Sequence, residues 1–317
     1  MAIKEKCIIW GTGNGYEEIL NQINFEIYKG NIEIVAAVCG KDDKYCEYRD
    51  GFPIVVKEEL KKLEFEYVII SSYVFYEQIK SEAIALEIEA DKIINGQIFK
   101  RPLFDFALYS RLIKNPVTIL SDDCWGGYVY NYLGLKFSSP LINILWDRGE
   151  FANFIQEPLY YLQTELTMVR EGDLRAGIFP IGKLGAGGKY VQLFFIHNAD
   201  FNEAKQQWDR RKGRVNANNL FVKMNLSRSD TNKESYIDIF NNCKSKKILF
   251  YNGNENIEGK FSTERFVWQE KKRGIGNWEY FNYMRDDSRN AIDILKLLTG
   301  EKNYSREMKT EVAIENK

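Results

Sequence analysis

Short apolar runs alternate with amphipathic stretches along most of the chain. Lys6–Trp10, Ile32–Val38 and Tyr67–Ser72 are β-rich, and Lys92–Asn95 is a fourth such run. Glu17, Ile19, Leu20, Ile23 and Ile27 follow the first at near-helical spacing, and Ile79, Ala83, Leu86 and Ile88 do so between the last two. This alternation predicts a parallel, doubly wound sheet over residues 1–100. Pro102 suits the first turn of a helix whose apolar face is Leu103, Phe106, Ala107, Tyr109, Leu112 and Ile113, read as the link between two domains. Strands are then predicted at 117–121, 141–146, 190–197, 220–226 and 247–251, with helices at 127–134, 150–166, 201–213 and 234–243. The order is again β-α-β-α, so residues 101–300 read as a second α/β sheet. Gly182–Gly188 is too glycine-rich for an element interior and reads as a turn or loop. Asp286, Asp287 and Ser288 start a last helix with Ala291, Ile292, Ile294, Leu295 and Leu298 inward and Gly300 as its stop. Residues 301–317 are polar and read as a frayed tail.

Composition narrows the function classes. A chain of 317 residues suits two domains. A net charge of −1 gives no global field for nucleic acid or an anionic membrane. No apolar run approaches the roughly 18–20 residues that span a bilayer, and Met1–Lys6 leads into a strand instead of a signal core, so a cytoplasmic protein is expected. The cysteines, Cys7, Cys39, Cys46, Cys124 and Cys243, are odd in number and form no CxxC pair, which argues against a disulfide framework or structural zinc. Cys7 and Cys39 read as core fillers within strands. His197 is the single histidine, which excludes a multi-histidine metal site. Trp268, Trp278, Tyr280, Phe281 and Tyr283 around Gly274-Ile275-Gly276 read as core packing, a stacking lid or a contact in a homo-oligomer.

Gly11-Thr12-Gly13-Asn14-Gly15 follows the first strand. Glycines let the backbone turn tightly and approach a phosphate, and the next helix N-terminus attracts the anion. Gly11, Gly13, Asn14 and Gly15 are therefore candidate nucleotide-binding residues. The pattern is G-x-G-x-G, with Tyr16 where a third glycine of the dinucleotide fingerprint would fall, and Asp42 and Asp43 come late for a ribose-binding acid. Nucleotide or sugar-nucleotide binding, a redox dinucleotide and a vestigial turn stay open. Ile8-Ile9-Trp10-Gly11-Thr12-Gly13, Ala36-Ala37-Val38, Gly51-Phe52-Pro53-Ile54 and Tyr67-Val68-Ile69-Ile70-Ser71 resemble the small Rossmann-like domains that precede catalytic modules in sugar-nucleotide and capsule enzymes.

The densest chemistry lies where the strand Val117–Ser121 runs into Asp122-Asp123-Cys124-Trp125-Gly126-Gly127. Polar residues also follow the later strands: Asp147, then His197, Asn198 and Asp200, then Asn225, Ser227, Arg228 and Asp230. Parallel strands would bring these to one edge, where α/β sheets bind ligands. Asp122 and Asp123 are candidate ligands of Mg²⁺ or Mn²⁺ holding a sugar diphosphate. One of them could instead cap the following helix, and neighbours on an extended chain face opposite ways, so only one is expected in a cleft. Cys124, His197 and an acid such as Asp230 would make a nucleophile, base and orienter, against the alternatives of an inert thiol and a structural histidine. Arg210, Arg211, Lys212 and Arg214 suit an anion or simply the helix dipole. Asn216, Asn218 and Asn219 suit sugar hydroxyls or a turn. Trp125, Asp147 and Arg228 complete the candidate substrate residues.

Ser121–Gly127, Leu133–Pro140, Phe179-Pro180-Ile181-Gly182, Trp208–Arg211, Arg214-Val215-Asn216 and Asn219-Leu220-Phe221 resemble a bacterial family of unknown function found in proteins assigned to exopolysaccharide biosynthesis. The resemblance implies an enzyme of surface-glycan assembly acting on a nucleotide sugar or glycan, with a transferase favoured. A small-molecule nucleotide or sugar is then the expected partner, with Mg²⁺ or Mn²⁺. A non-catalytic sugar-nucleotide binding or regulatory protein, and a cysteine-dependent hydrolase or acyltransferase, are the alternatives.

Overall fold

The computed structural model describes residues 4–39, 47–174, 177–227, 230–252, 265–269, 292–302, 304 and 312–313. The chain forms two compact units, residues 1–114 with 132–134, and residues 115–131 with 135–317.

In the first unit, β1 (Glu5–Trp10), β2 (Ile32–Val38), β3 (Tyr48–Arg49), β4 (Phe52–Val55), β5 (Tyr67–Ile70) and β6 (Ile93–Asn95) form a sheet in the order β3-β4-β2-β1-β5-β6. All neighbours from β4 to β6 are parallel, and β3 runs antiparallel to β4. Cys7, Ile8, Ile9, Ala36, Ala37, Val68, Ile69 and Ile70 are fully buried. Central parallel strands are covered on both faces, which is why they read as unbroken apolar runs. Helices α1 (Asn14–Tyr28), α2 (Tyr76–Ala85) and α3 (Phe106–Lys114) complete the unit. The order of winding reverses at β1, with β2 and β4 on one side and β5 and β6 on the other. The glycine turn leaves β1 at this reversal. Helix α3, read from sequence as the link between domains, belongs to the first unit: the Phe106 N–H donates to Glu26 (3.1 Å), the Phe106 ring meets Tyr67 edge-on (5.8 Å), and Lys114 pairs with Glu5. By its contacts the first unit continues to Lys114 and so includes α3.

The second unit opens with β7 (Thr118–Ser121) and α4 (Trp125–Tyr132), then α5 (Arg148–Gln156) and α6 (Pro158–Gln163). Strands β8 (Thr167–Leu174), β9 (Gly177–Ala186) and β10 (Lys189–Phe194) form an antiparallel meander. Helix α7 (Phe201–Lys212), β11 (Leu220–Ser227), α8 (Lys233–Asn242), β12 (Lys246–Asn252), β13 (Arg265–Gln269), α9 (Ile294–Thr299) and β14 (Val312–Ala313) follow. A parallel sheet runs in the order β14-β13-β12-β11-β7.

Several expectations need correction here. The strand expected at 190–197 is β10, which ends at Phe194 and belongs to the meander, not to the parallel sheet. The cause lies in the glycine run: Gly187 and Gly188 have φ of 61° and 86°, the two-residue hairpin geometry that reverses the chain, with Ala186 paired to Lys189. Gly182 and Gly185 lie inside β9. A Cβ on Gly182 would sit 2.7 Å from Leu166 Cδ1, so close packing, not loop flexibility, requires glycine there. No strand spans 141–146; Asn143 turns at φ 62° and only a single bridge joins Leu145 to Phe194. The helix expected at 150–166 is broken at Pro158, which cannot continue the preceding hydrogen-bond ladder. Cys39 follows β2 and is half-buried instead of lying within a strand. Helix α9 starts after Asp293, whose side chain caps Lys296 N–H (3.2 Å), and stops at Gly300 with φ 79°. Its expected start at Asp286–Ser288, its Ala291, and Trp278, Tyr280, Phe281, Tyr283, Gly274 and Gly276 lie outside the described residues. The segment read as a frayed tail supplies β14. Among the described residues, no helix is long and apolar enough to cross a membrane.

Candidate functional site

The site is built where β7 passes beside β11. Strand β11 alternates strictly. Val222, Met224 and Leu226 enter an apolar cluster with Leu120, Leu249 and Tyr251. The opposite face carries Phe221, Lys223 and Asn225, and there Trp125 of α4 stacks on Phe221 (6.1 Å) while the Lys223 ammonium lies over the Phe250 ring (5.0 Å). A fully buried lysine must meet anions, because desolvating an unpaired charge is prohibitive.

The anions come from the end of β7. The chain bends after Ser121, so Asp122 and Asp123 do not diverge as extended neighbours would; both carboxylates turn onto Lys223 and Asn225. Lys223 Nζ donates to Asp122 Oδ1 (3.2 Å) and Asp123 Oδ2 (2.5 Å), and Asn225 Nδ2 donates to the same two oxygens (2.8 and 2.5 Å). Asp122 Oδ2 accepts from Arg148 (2.7 Å) and the Asn225 N–H (2.8 Å). Asp123 Oδ1 accepts from the Ser121 hydroxyl and the Trp125 N–H, both at 2.9 Å. That last bond caps α4, as one sequence alternative held. Burial pushes the Asp122 carboxyl up; Lys223, Arg148 and the Asn225 N–H pull it down, while Asp123 adds to the rise. Each carboxylate oxygen already takes two donors, the full complement of its lone pairs. A divalent cation here would have to displace Lys223 or Arg148. Among the described residues, no group of three or more His, Cys, Asp or Glu side chains is placed to hold a metal.

Cys124 follows this braced dipeptide and precedes the first turn of α4. Its Sγ lies 3.7 Å from His197 Nε2. Thiol and imidazole come from different sheets. Cys124 leaves the parallel sheet, and His197 stands in the turn beyond β10 of the meander. Burial pushes the Cys124 thiol up from 9.0 to about 11; the Asp123 carboxylate adds to the rise and Lys223 opposes it. The thiol is thus protonated at neutral pH. The amides of Gly126 and Gly127, buried in the first turn of α4, are among the donors a helix leaves without an intrahelical carbonyl. Asp230 does not serve as the orienting acid. Its carboxylate accepts the Ser227 N–H (2.7 Å) and pairs with Arg148 Nε (3.5 Å).

The remaining candidates are placed elsewhere. Trp125 is 1% exposed and wedged between Phe221 and Phe250, so it is core and not a substrate platform. Asp147 caps α5 through the Gly149 N–H (2.9 Å). Arg211 donates to the Ile142 carbonyl and Arg214 to the Phe137 carbonyl (3.3 Å each), so these guanidiniums hold the 135–145 loop. Lys212 holds the Gln163 and Thr164 carbonyls, whereas Arg210 is exposed at the end of α7. Asn216 donates to Asn115 Oδ1 (2.7 Å) and the Pro116 carbonyl (2.9 Å) and accepts the Asn218 N–H (3.2 Å), and Asn219 donates to the Asn115 carbonyl (2.7 Å). These asparagines fasten the chain entering β7. Arg228 lies outside the described residues. Sequence reasoning missed Lys223 and Arg148. The signal for Lys223 was present: polar residues at i and i+2 within an otherwise apolar strand mark one face that carries something other than core.

In the first unit, a Cβ on Gly11 would lie 2.6 Å from Ser71 Oγ and one on Gly15 2.4 Å from the Ser71 carbonyl oxygen. Gly15 is thus required by packing against the end of β5, and Gly11 by its φ of 111°. Gly13, ahead of Asn14 at the start of α1, has nothing within 4 Å of where its Cβ would be.

Residues 95–299 match a family model described as "Domain of unknown function (DUF1919)", and residues 3–94 match one described as "C2185-like, N-terminal". An uncharacterized protein of Haemophilus influenzae is 28% identical over 160 residues, which cover 50% of this chain and 73% of that protein.

Proposed function

Because the chain belongs to the DUF1919 family, whose description specifies no reaction, its own geometry must supply one, and we propose that it is a thiol-dependent acyl-transfer enzyme with Cys124 as nucleophile and His197 as base. One observation carries the proposal: the 3.7 Å contact between Cys124 Sγ and His197 Nε2 at a strand-to-helix turn. The resemblance to exopolysaccharide proteins supplies the substrate class, an acylated glycan or an acyl donor for a glycan hydroxyl.

The chemistry follows from the electrostatics. A thiol held at about 11 does not rest as a thiolate paired with imidazolium. His197 Nε2 therefore accepts the proton as sulfur adds to the acyl carbonyl, which requires the neutral imidazole with its proton on Nδ1. The Gly126 and Gly127 amides, unpaired within the helix, are the donors this reading assigns to a developing oxyanion. Collapse breaks the bond to the leaving group, which takes the proton from His197 and departs. Water or a sugar hydroxyl then receives the acyl group, and Cys124 regains its proton.

The test is an acyl adduct. Incubation with p-nitrophenyl acetate, followed by intact and peptide mass measurement, should place acetate on Cys124. Cys124→Ser should abolish that adduct, and His197→Ala should slow its formation on the order of 10²–10⁴-fold with the melting temperature retained. Acetylation elsewhere, or at Cys124 with an unchanged rate in His197→Ala, overturns the proposal.

A second reading concerns the first unit alone. The order β4-β2-β1-β5-β6 and the open space beside Gly13, at the point where winding reverses, favour a Rossmann-like domain holding a nucleotide or nucleotide sugar. Exposed Tyr73, Val74 and Phe75 follow β5 at the same edge. A nucleotide sugar at 100 times its Kd should stabilise the fold by about 2.7 kcal/mol. A melting temperature unmoved by uridine or guanosine diphosphate sugars, with or without Mg²⁺ or Mn²⁺, removes this reading.

A further inference from the structure

Lys223 and Asp123 are placed to act on the Cys124 thiol in opposite senses. Asp123 is the preceding residue, and its carboxylate brackets the thiol's turn by accepting Ser121 Oγ before it and the Trp125 N–H after it. Lys223 Nζ binds that carboxylate from the neighbouring strand at 2.5 Å, with no exposure to solvent. Strand register fixes this approach, because Lys223 pairs with Ser121 in the parallel ladder between β11 and β7. Among the described residues, the other charged groups at this end are Asp122, bound to Lys223, Asn225 and Arg148, and Arg148 itself, bound to Asp122 and Asp230. His197 faces the thiol from the meander.

We propose that Lys223 and Asp123 are positioning residues for the reaction at Cys124: Asp123 fixes the turn that presents the sulfur, and Lys223 offsets the carboxylate's negative field so that the sulfur can take up charge during attack. The inference rests on Cys124 being the reacting atom. A lysine that merely filled the sheet interior would be cheaper as leucine or methionine, since an apolar group of similar volume avoids the desolvation of a buried charge. Its presence within β11 is explained by a charge the neighbouring turn requires. The electrostatics at the thiol have the matching signs, with Asp123 raising its proton affinity and Lys223 lowering it.

The two residues can be separated by the sign of their effects. Alkylation of Cys124 by iodoacetamide, followed by peptide mass spectrometry from pH 6 to pH 11.5 with Cys243 as internal reference, gives the midpoint of thiol ionisation. Asp123→Asn should lower that midpoint, because the carboxylate that raises the thiol's proton affinity is gone while Lys223 keeps its charge beside Asp122. Lys223→Met should raise it. If Lys223→Met does not fold, the double variant Asp123→Asn with Lys223→Met removes one charge of each sign, and its midpoint should lie above that of Asp123→Asn alone. Midpoints that move in the same direction, or do not move, overturn the inference, because a purely structural brace would loosen the turn alike in both variants. The readout concerns the thiol and not acyl transfer. Failure of the acyl adduct with opposed midpoints would therefore overturn the proposed activity alone.

Discussion

At the residue scale, the protonated thiol of Cys124 has a thermodynamic consequence. Its folded value of about 11 lies above its ordinary 9.0, so the folded protein binds this proton more tightly than the unfolded chain. The associated stability is fully present below about 9 and is lost as pH rises towards 11, since the unfolded chain then releases a proton that the folded chain retains. A rise of this size corresponds to about 3 kcal/mol. Cys7 is also pushed up by burial, with the same sign. Chemical denaturation at pH 8 and pH 11 should therefore show an alkaline loss that is smaller by about 2–3 kcal/mol in Cys124→Ala. An equal loss in the variant would mean that the thiol is not shielded as the structure places it.

The elements show what each glycine of the β1–α1 turn is for. Gly15→Ala drives a methyl to 2.4 Å from the Ser71 carbonyl oxygen, a backbone atom that cannot yield cheaply. It should cost about 1–3 kcal/mol, the usual penalty of overpacking. Gly13→Ala meets nothing and keeps an extended φ of −86°, so its cost should stay below about 1 kcal/mol. Thermal melts of the two variants read this directly, and equal losses would contradict the packing role of Gly15. The same scale explains what the sequence made legible. Central parallel strands β1 and β5 were readable because burial on both faces demands unbroken apolar residues. The turn after β7 stood out because two acids and a thiol at the end of an apolar strand call for buried partners, which Lys223, Asn225 and Arg148 supply to the two acids. The meander was not, because Gly182 and Gly185 occupy a strand for reasons of close packing that a single sequence does not display. Without the hairpin at Gly187-Gly188, His197 was assigned to the wrong sheet, although its meeting with Cys124 was among the expected arrangements. The bracing of both aspartates was missed because it depends on a bend after Ser121 and on strand register, both set by tertiary contacts.

For the molecule as a whole, the first unit should be able to fold without the second, provided it keeps α3. Its apolar cluster, from Ile8 and Trp10 through Ala36, Val38, Leu60, Val68, Ile70, Ala83 and Ile93, is drawn from residues 1–114 alone. On the other side of the sheet, α3 contributes Phe106, Tyr109 and Leu112, each at most 3% exposed. Phe106 and Tyr109 share ring contacts with Phe104, and Phe106 also meets Phe99 and Tyr67. Burying side chains of this size stabilises by roughly 1.5–3 kcal/mol each, so ending the chain at Lys100 removes an amount comparable with the 5–15 kcal/mol that a domain typically possesses. Removing α3 also strips the Phe106 N–H from buried Glu26 and Lys114 from Glu5. A chain of residues 1–114 should therefore melt cooperatively by circular dichroism, and residues 1–100 should melt at a much lower temperature or without a cooperative transition. The reverse result, or equal stability of the two, would put the boundary near residue 95, where the two family models meet, and not at the end of α3.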